Sequence, residues 1–155
     1  MKIEFSQGLT CFEKMWTKKL IKGALVELNQ PLCVEVCVSA TTEEEMQALN
    51  NSTRNVNKVT DVLSFPATNT QAGQIIDQQD QLLIDGVFAL GDVVVCKPQI
   101  ARQAKEYQTT YKKEFCRMVL HSVLHLLGYD HIEEKDRAVM QPVEQKLFLK
   151  LVGKY

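Results

Sequence analysis

The sequence has no apolar run approaching the roughly 20 residues that a membrane-spanning helix requires, and no apolar signal segment follows its first residues. Its charges nearly cancel, because 18 Lys and Arg oppose 19 Asp and Glu, so bulk charge gives no argument for a nucleic-acid partner. The five cysteines are an odd number without the compact spacing of a disulfide framework. These shortages argue against a membrane protein and a secreted disulfide scaffold, and we expect reduced thiols and a cytoplasmic location.

What is present is typical of a globular chain, since 155 residues with 45% hydrophobic content suit one domain over residues 1–155. The patterns predict strands over 1–6, 32–39, 61–65 and 88–96, and helices over 10–29, 42–51, from about 98, 110–127 and 134–151. Residues 68–81 are rich in Gln and are predicted to form a mobile loop. Because strands and helices mix without strict alternation, we predict an α+β fold with a sheet packed on the long helices.

Several residues mark details of these elements. The first helix carries a row of apolar residues spaced by four, which we expect to form its buried face: Phe12, Trp16, Leu20, Ala24 and Leu28. Thr42 with Glu45 forms a capping box at the start of the second helix. Gly91 interrupts the fourth strand, and Pro142 either kinks the last helix or marks its true start.

All three histidines of the chain fall within eleven residues. His121 and His125 are four apart on a predicted helix and therefore share a face, and Gly128 allows the left-handed turn that brings His131 back toward them. Three imidazoles with a fourth position open to water are the arrangement of a catalytic zinc site. The alternative is that the three histidines merely cap and line a helix end.

The same spacing occurs in the metzincin pattern H-E-x-x-H-x-x-G-x-x-H, whose ligands and glycine have the same offsets. Here the residue after the first histidine is Ser122, where a peptidase of that type requires a glutamate as general base. The spacing therefore favours the metal geometry and argues against peptidase chemistry.

Three blocks of the sequence resemble one known family. HSVLHLLGYDH at 121–131 is similar to the H-G-x-L-H-L-x-G-Y-D-H signature of the YbeY family of metal-dependent endoribonucleases, which act in ribosomal RNA maturation. Arg54 followed by TDVLSFP at 60–66 resembles the family's R-x5-T-D-V-L-S-F-P, and LGDVVV at 90–95 resembles its L-G-D-I-x-I strand. The blocks occur in the family's order, and the resemblance covers essentially the whole chain.

The chain departs from this pattern at three positions. Ser122 replaces the usual Gly, Thr53 replaces an aromatic residue, and Asn57 stands where Asp is common. Because Ser122 is small, we expect close helix packing and metal binding to be retained. Asn57 removes a charge near Arg54, so we expect a difference in substrate contact there.

The resemblance implies a zincin-like single domain with a small mixed four-stranded sheet packed against several helices. It implies one Zn²⁺ per chain bound by His121, His125 and His131, with Arg54 and His121 as catalytic residues. An arginine suits phosphate because its planar fork donates two parallel hydrogen bonds. From its position alone, Arg54 is equally well explained as a solvated cation at a helix end.

Three further polar residues are candidates for substrate binding or for support of the metal ligands. Asp130 either accepts a hydrogen bond from a ligand imidazole or only forms the turn. Asp92 is either a cleft residue or part of a strand bulge with Gly91. Ser64 shares a strand face with Val62, so its role depends on which face meets the cleft. Thr60 and Asp61, which directly precede Val62, are expected to fix the beginning of this strand through local hydrogen bonds.

The distribution of charge adds a modest indication. Residues 97–117 carry six basic and two acidic residues, a net charge of +4, and lead into the histidine helix. Residues 61–96 carry five Asp and no Lys or Arg, a net charge of −5. A basic segment there would suit an approaching anionic strand, although such a run is more often a solvated face.

The function expected from the resemblance is zinc-dependent, single-strand-specific cleavage of RNA in late ribosomal RNA processing. This includes maturation of the 16S 3′ end and ribosome quality control. The expected partners are ribosomal RNA and components of the small ribosomal subunit, with no membrane partner; the sequence gives no indication of oligomeric state. Two alternatives stay open: a metal-dependent hydrolase of another substrate, and a non-catalytic ribosome assembly factor whose metal holds the helix end in place.

Overall fold

A computed structural model of the chain describes residues 1–76 and 86–153. Within these ranges the strands are β1 (Lys2–Phe5), β2 (Val34–Thr41), β3 (Val62–Pro66) and β4 (Phe88–Cys96). The helices are α1 (Cys11–Glu27), α2 (Glu43–Arg54), α3 (Lys97–Glu106), α4 (Tyr111–Leu126) and α5 (Glu134–Leu151). Each predicted element is present, and the α+β class is confirmed. Of the predicted loop, residues 68–76 form neither helix nor strand, and 77–81 lie outside the described residues.

The sheet is mixed, with strand order β1-β2-β4-β3. β1, β2 and β4 run parallel, and β3 pairs antiparallel with β4. β4 carries a bulge, since Glu35 pairs with Ala89 while Val36 pairs with Gly91. Gly91 is required beside it, because its φ is +139° and an added Cβ would lie 2.2 Å from the carbonyl oxygen of Phe65. The predicted interruption is therefore a bulge within a continuous strand.

The main core lies between one face of the sheet and the helices α1, α4 and α5. Val34, Val36 and Val38, alternate residues of β2 that share one face of the strand, are buried in it. A smaller cluster on the other face packs Met46 of α2 against Leu63 of β3. α2 is thereby held on the opposite face, so its C-terminal end lies beside the beginning of β3.

The predicted buried face of α1 is partly wrong, because Phe12 is 68% exposed. A helix has 3.6 residues per turn, so a row of every fourth residue drifts by about 40° per step and leaves the core side. The residues that α1 actually buries follow a mixed spacing of three and four: Glu13, Thr17, Leu20, Ile21, Ala24 and Leu25.

Glu13 is charged and yet only 3% exposed, and it ties α1 to two other helices. Its carboxylate accepts hydrogen bonds from the Tyr111 hydroxyl at 2.6 Å and from the Lys97 ammonium at 3.0 Å. It also accepts one from the Thr10 backbone N–H at 2.7 Å. Burial alone would raise the pKa of Glu13, and these hydrogen bonds together hold it below its ordinary value.

The histidine helix α4 packs against β3, α1, α3 and α5 and ends at a left-handed glycine. The N–H of Gly128 donates to the His125 carbonyl and that of Tyr129 donates to the Leu124 carbonyl, both at 3.0 Å. This is the Schellman arrangement, and it turns the chain back toward α4 as the sequence predicts. α5 then continues through Pro142 from its start at Glu134, so this proline lies inside the helix.

Replacing Gly128 with alanine should destabilise the protein strongly. Its φ is +83°, and a Cβ there would lie 2.1 Å from the carbonyl oxygen of Thr70. The left-handed conformation costs a non-glycine residue about 1–2 kcal/mol, and the clash adds to it. We expect Gly128→Ala to lower the free energy of urea unfolding by about 3 kcal/mol or more.

Gly73→Ala is the matched control for this substitution. Its φ of +77° is similar, but no atom lies within 4 Å of an added Cβ. Gly73→Ala should lower the free energy of unfolding only by the cost of the left-handed backbone conformation, about 1–2 kcal/mol. An equal loss of unfolding free energy in Gly128→Ala and Gly73→Ala would contradict the close approach of the Thr70 backbone to the end of α4.

Among the residues that the structure describes, no helix is long and apolar enough to cross a bilayer. The five cysteines are all free.

Candidate metal centre

The three histidine side chains converge, as their spacing predicts. The Nε2 atoms of His121 and His125 lie 3.0 Å apart, and one ring nitrogen from each of the three histidines lies within 4.8 Å of the others. His131 reaches the cluster from the turn after α4, with its ring centroid 5.1 Å from that of His121. This geometry allows one ion to contact all three side chains.

The turn that delivers His131 is fixed by hydrogen bonds rather than by packing alone. The Asp130 carboxylate accepts a 2.7 Å hydrogen bond from the backbone N–H of His131. The Thr70 hydroxyl donates to the Leu126 carbonyl at 2.8 Å and so satisfies one of the last carbonyls of α4. Of the two roles expected for Asp130, the observed contact is the one that forms the turn.

A carboxylate that the local sequence pattern does not reveal contacts one of the three histidines. Glu144 on α5 places its Oε1 atom 2.9 Å from Nδ1 of His121. When Nδ1–H donates to this carboxylate, the lone pair of Nε2 is left facing the cluster, which is the common arrangement behind metal-bound histidines. Glu144 is 23 residues from His121, so only the packing of α5 on α4 reveals the pair.

The electrostatics of the cluster favour a neutral imidazole at His125. Burial, and then the neighbouring His121 and His131, lower the pKa of His125 to about 4. A histidine must be neutral to bind a metal ion, so His125 keeps its ligand form well below neutral pH. Three converging imidazoles, one of them hydrogen-bonded to a carboxylate, fit a divalent ion of the zinc type.

The histidines form one wall of a cavity of about 320 Å³ between α4 and β3. Its other lining residues come from the end of α2, the entry to β3, β3 itself and α4: Arg54, Thr60, Asp61, Val62, Ser64 and Met118. The structure therefore brings Arg54 and Ser64, two of the candidates, to the three histidines. The volume is at the low end of ligand pockets in proteins.

Arg54 is the last residue of α2 and is exposed. Asn55 follows it in the left-handed conformation, with φ of +57°, and ends the helix. The segment from there to β3 is held by the Asn50 side chain, which donates to the Lys58 carbonyl at 2.8 Å. Asn57, a departure from the family pattern, accepts a 3.0 Å hydrogen bond from the Gln47 amide and so contributes to the same segment.

Thr60 and Asp61 form the predicted local hydrogen bonds at the beginning of β3. The Asp61 carboxylate accepts hydrogen bonds from the Val62 backbone N–H at 2.8 Å and from the Thr60 hydroxyl at 3.1 Å. Ser64 pairs with Val93 of β4 and faces α4. These contacts set which side chains of β3 reach the cavity.

Asp92 is not brought to the histidines. It pairs with Phe65 in the register of β3 and β4, one position from the Ser64 pair, and therefore points to the opposite face of the sheet. There it lies beside Cys37, whose pKa is raised first by burial and then by the Asp92 charge. Of the two roles expected for Asp92, the structure does not favour the cleft residue.

The basic segment 97–117 also lies apart from the cavity, since none of its six basic residues is among the lining residues. Lys97 pairs with the buried Glu13, and Arg102 pairs with Glu43 of α2. Lys112 lies over the ring of Trp16. The basic residue that lines this cavity is Arg54 instead.

Ser122, which stands where a peptidase of this spacing has its glutamate, is fully buried and donates a 2.9 Å hydrogen bond to the Met118 carbonyl. It faces the core and not the cavity, so the position offers no general base. This also agrees with the expectation that a small residue keeps the packing of α4 close.

Glu144→Gln should weaken metal binding without unfolding the protein. The amide keeps the size of the side chain but removes the charge behind His121, and loss of such a partner typically costs 10- to 100-fold in metal affinity. Competition of the protein with a chromophoric chelator measures this affinity. Glu134→Gln is the control, because it removes the same charge from an 88% exposed side chain of the same helix. A Glu144→Gln affinity equal to that of the control would show that the His121 contact does not support the ligand.

Comparison with known proteins gives a consistent result. The family model described as endoribonuclease YbeY matches residues 6–152. Endoribonuclease YbeY of Caldicellulosiruptor bescii is 41% identical over 146 residues, which cover 94% of this chain and 89% of the relative. That of Clostridium tetani is 35% identical over 136 residues, covering 83% and 81%. The solution structure of a Thermotoga maritima protein superposes with a TM-score of 0.63 at 26% identity, over 98% of this chain and 89% of that one.

Proposed function

The chain belongs to the endoribonuclease YbeY family, and on this premise we propose that it is a zinc-dependent endoribonuclease that cleaves single-stranded ribosomal RNA. The observation that carries the proposal is the convergence of three histidine nitrogens in a cavity that also holds Arg54. A metal site alone suits many hydrolases. A metal site beside a guanidinium suits a substrate whose reacting group is a phosphodiester.

We propose that His121, His125 and His131 hold one zinc ion. Zinc in a site of three histidines acts as a Lewis acid toward water or a phosphoryl oxygen. Glu144 orients His121 through Nδ1, and the hydrogen bond from His131 to Asp130 fixes the third ligand. The protein thus supplies a prearranged site rather than one assembled on binding.

Arg54 binds the scissile phosphate in this proposal. Its planar guanidinium can donate two parallel hydrogen bonds to the nonbridging oxygens. Negative charge builds up on those oxygens as the phosphodiester is attacked, so a fixed cation beside them lowers the barrier. Ser64 also lines the cavity and can donate a further hydrogen bond to the RNA strand.

A single strand suits this cavity better than a duplex. The cavity, of about 320 Å³, is lined by residues of α2, β3 and α4, and a rigid, bulky duplex cannot bend into such a recess. Sequence-specific proteins reach the groups of RNA mainly in loops and ends, where the strand can be splayed out. We therefore propose cleavage at unpaired positions.

We further propose that the substrate is the 16S precursor at its 3′ end, in late processing and quality control of the small ribosomal subunit in the cytoplasm. This finer assignment depends on membership of the family. The peptidase alternative loses support because Ser122 is buried and bonded to a carbonyl.

The test compares nucleic acids with one preparation of the chain, stripped with a chelator and reloaded with zinc. We expect cleavage of an unstructured small-subunit RNA fragment, and at least tenfold slower cleavage of the same sequence in a perfect duplex. Binding of the fragment without any cleavage would instead support the assembly-factor function. Equal rates on single strand and duplex would contradict the proposed substrate.

A further inference from the structure

A second cavity, also of about 320 Å³, adjoins the histidine cluster on the side of α5. Its lining residues are His121, His131, Arg137, Met140, Gln141 and Glu144. His121 and His131 belong to both cavities. The histidine cluster is therefore open on two sides, toward β3 and toward α5.

Arg137 places a second guanidinium beside a metal ligand. Its Nη2 atom lies 3.4 Å from the backbone carbonyl oxygen of His131. Its ion pair is with Glu134 at 3.7 Å, and the two side chains are 54% and 88% exposed. A surface pair of this length contributes little to stability, so the guanidinium can exchange this partner for an anionic ligand at small cost.

The other residues that line the second cavity repel an anionic ligand only weakly. Its carboxylate, Glu144, is directed at Nδ1 of His121, and Gln141 is neutral with an amide that can donate. Met140 is buried and forms an apolar part of the wall. Arg137 thus gives this cavity a cationic side chain, 54% exposed, that an anionic ligand can reach.

We propose that Arg137 binds a flanking backbone phosphate of the RNA strand. This phosphate lies across the histidine cluster from the scissile phosphate that Arg54 binds. The strand then crosses the histidine cluster from one cavity to the other, with a guanidinium on each side. This inference depends on the proposed function, because it assigns the path of the same substrate. RNA carries one negative charge per nucleotide, so a strand extending past the metal site must present a phosphate to the second cavity.

Binding of a strand to the zinc-free chain, which is not expected to cleave it, tests the path without relying on catalysis. The probe is a fluorescein-labelled 2′-O-methyl decauridylate, and its dissociation constant is measured by anisotropy across a series of salt concentrations. Arg137→Ala should weaken binding about threefold to tenfold. It should also reduce the slope of log affinity against log salt by about 0.7, the value for one phosphate contact to a single strand.

Lys135→Ala is the matched control. It removes one positive charge from the same helix, but Lys135 is 74% exposed, pairs with Glu133 and does not line the cavity. The control should leave both affinity and slope near the wild-type values. Arg137→Glu should weaken binding further than Arg137→Ala. On a cleavable decauridylate, Arg137→Ala should raise KM while kcat stays within about twofold, as expected for a group that binds the flanking strand.

The proposed path is overturned if Arg137→Ala binds the strand with wild-type affinity and salt slope. It is also overturned if Lys135→Ala loses as much affinity as Arg137→Ala. Either result leaves the proposed function in place. If the wild-type chain binds no oligonucleotide and cleaves no RNA, the proposed function fails and the path fails with it.

Discussion

His121→Ala should abolish both metal binding and RNA cleavage while the protein remains folded. The substitution removes one of three converging nitrogens and leaves Glu144 without the imidazole that it orients. The side chain is 23% exposed, so its loss opens little space in the core. We expect metal affinity to fall more than about 100-fold, beyond the effect of losing a supporting partner.

Equilibrium dialysis with metal analysis measures the bound zinc, and a labelled RNA fragment reports cleavage in the same samples. Met118→Leu is the control, because Met118 lines the same cavity without offering a metal ligand of comparable strength, and the change conserves volume. It should bind one equivalent of zinc and cleave at close to the wild-type rate. If His121→Ala cleaves like the wild type, a contaminating nuclease explains the activity.

Arg54→Ala should slow RNA cleavage strongly while leaving zinc binding unchanged. Arg54 lines the cavity but is no metal ligand, so the variant should still bind one equivalent of zinc. Cleavage should fall about 100- to 1,000-fold, the range observed when one preorganised donor to a developing negative charge is removed. Because the side chain is exposed at the end of α2, the free energy of unfolding should change little.

Two further variants define what Arg54 contributes. Arg54→Lys keeps the charge but loses the planar fork, and should recover only part of the activity. Lys58→Ala removes a positive charge from the same connecting segment without touching the cavity lining, and should cleave normally. Loss of zinc in Arg54→Ala, or equal activity in Arg54→Ala and the wild type, would contradict the phosphate-binding role.

Local spacing in the sequence was sufficient for the part of the site that α4 and its turn provide. His121 and His125 share a helix face by their offset of four, and Gly128 has the left-handed φ that its position predicts. The turn then carries His131 to within contact distance of the others. These relations extend over eleven residues and need no knowledge of the tertiary packing.

The sequence could not provide what depends on packing between distant elements. Glu144 and Arg137 reach the cluster only because α5 folds back against α4. Asp92 was a candidate because it lies in a motif, but the pairing of β3 with β4 places it on the other face from Ser64. Phe12 followed a plausible apolar row and is exposed, because a row of every fourth residue turns away from the side of α1 that packs on the core.

The proposed function requires a metal ion held by the three histidines for RNA cleavage. It is tested most directly by titrating zinc into the metal-free chain and measuring bound zinc and cleavage of single-stranded RNA in the same samples. Cleavage should be absent without metal, rise in proportion to bound zinc and level off at one equivalent per chain. Full cleavage by the metal-free chain in the presence of chelator would contradict the account.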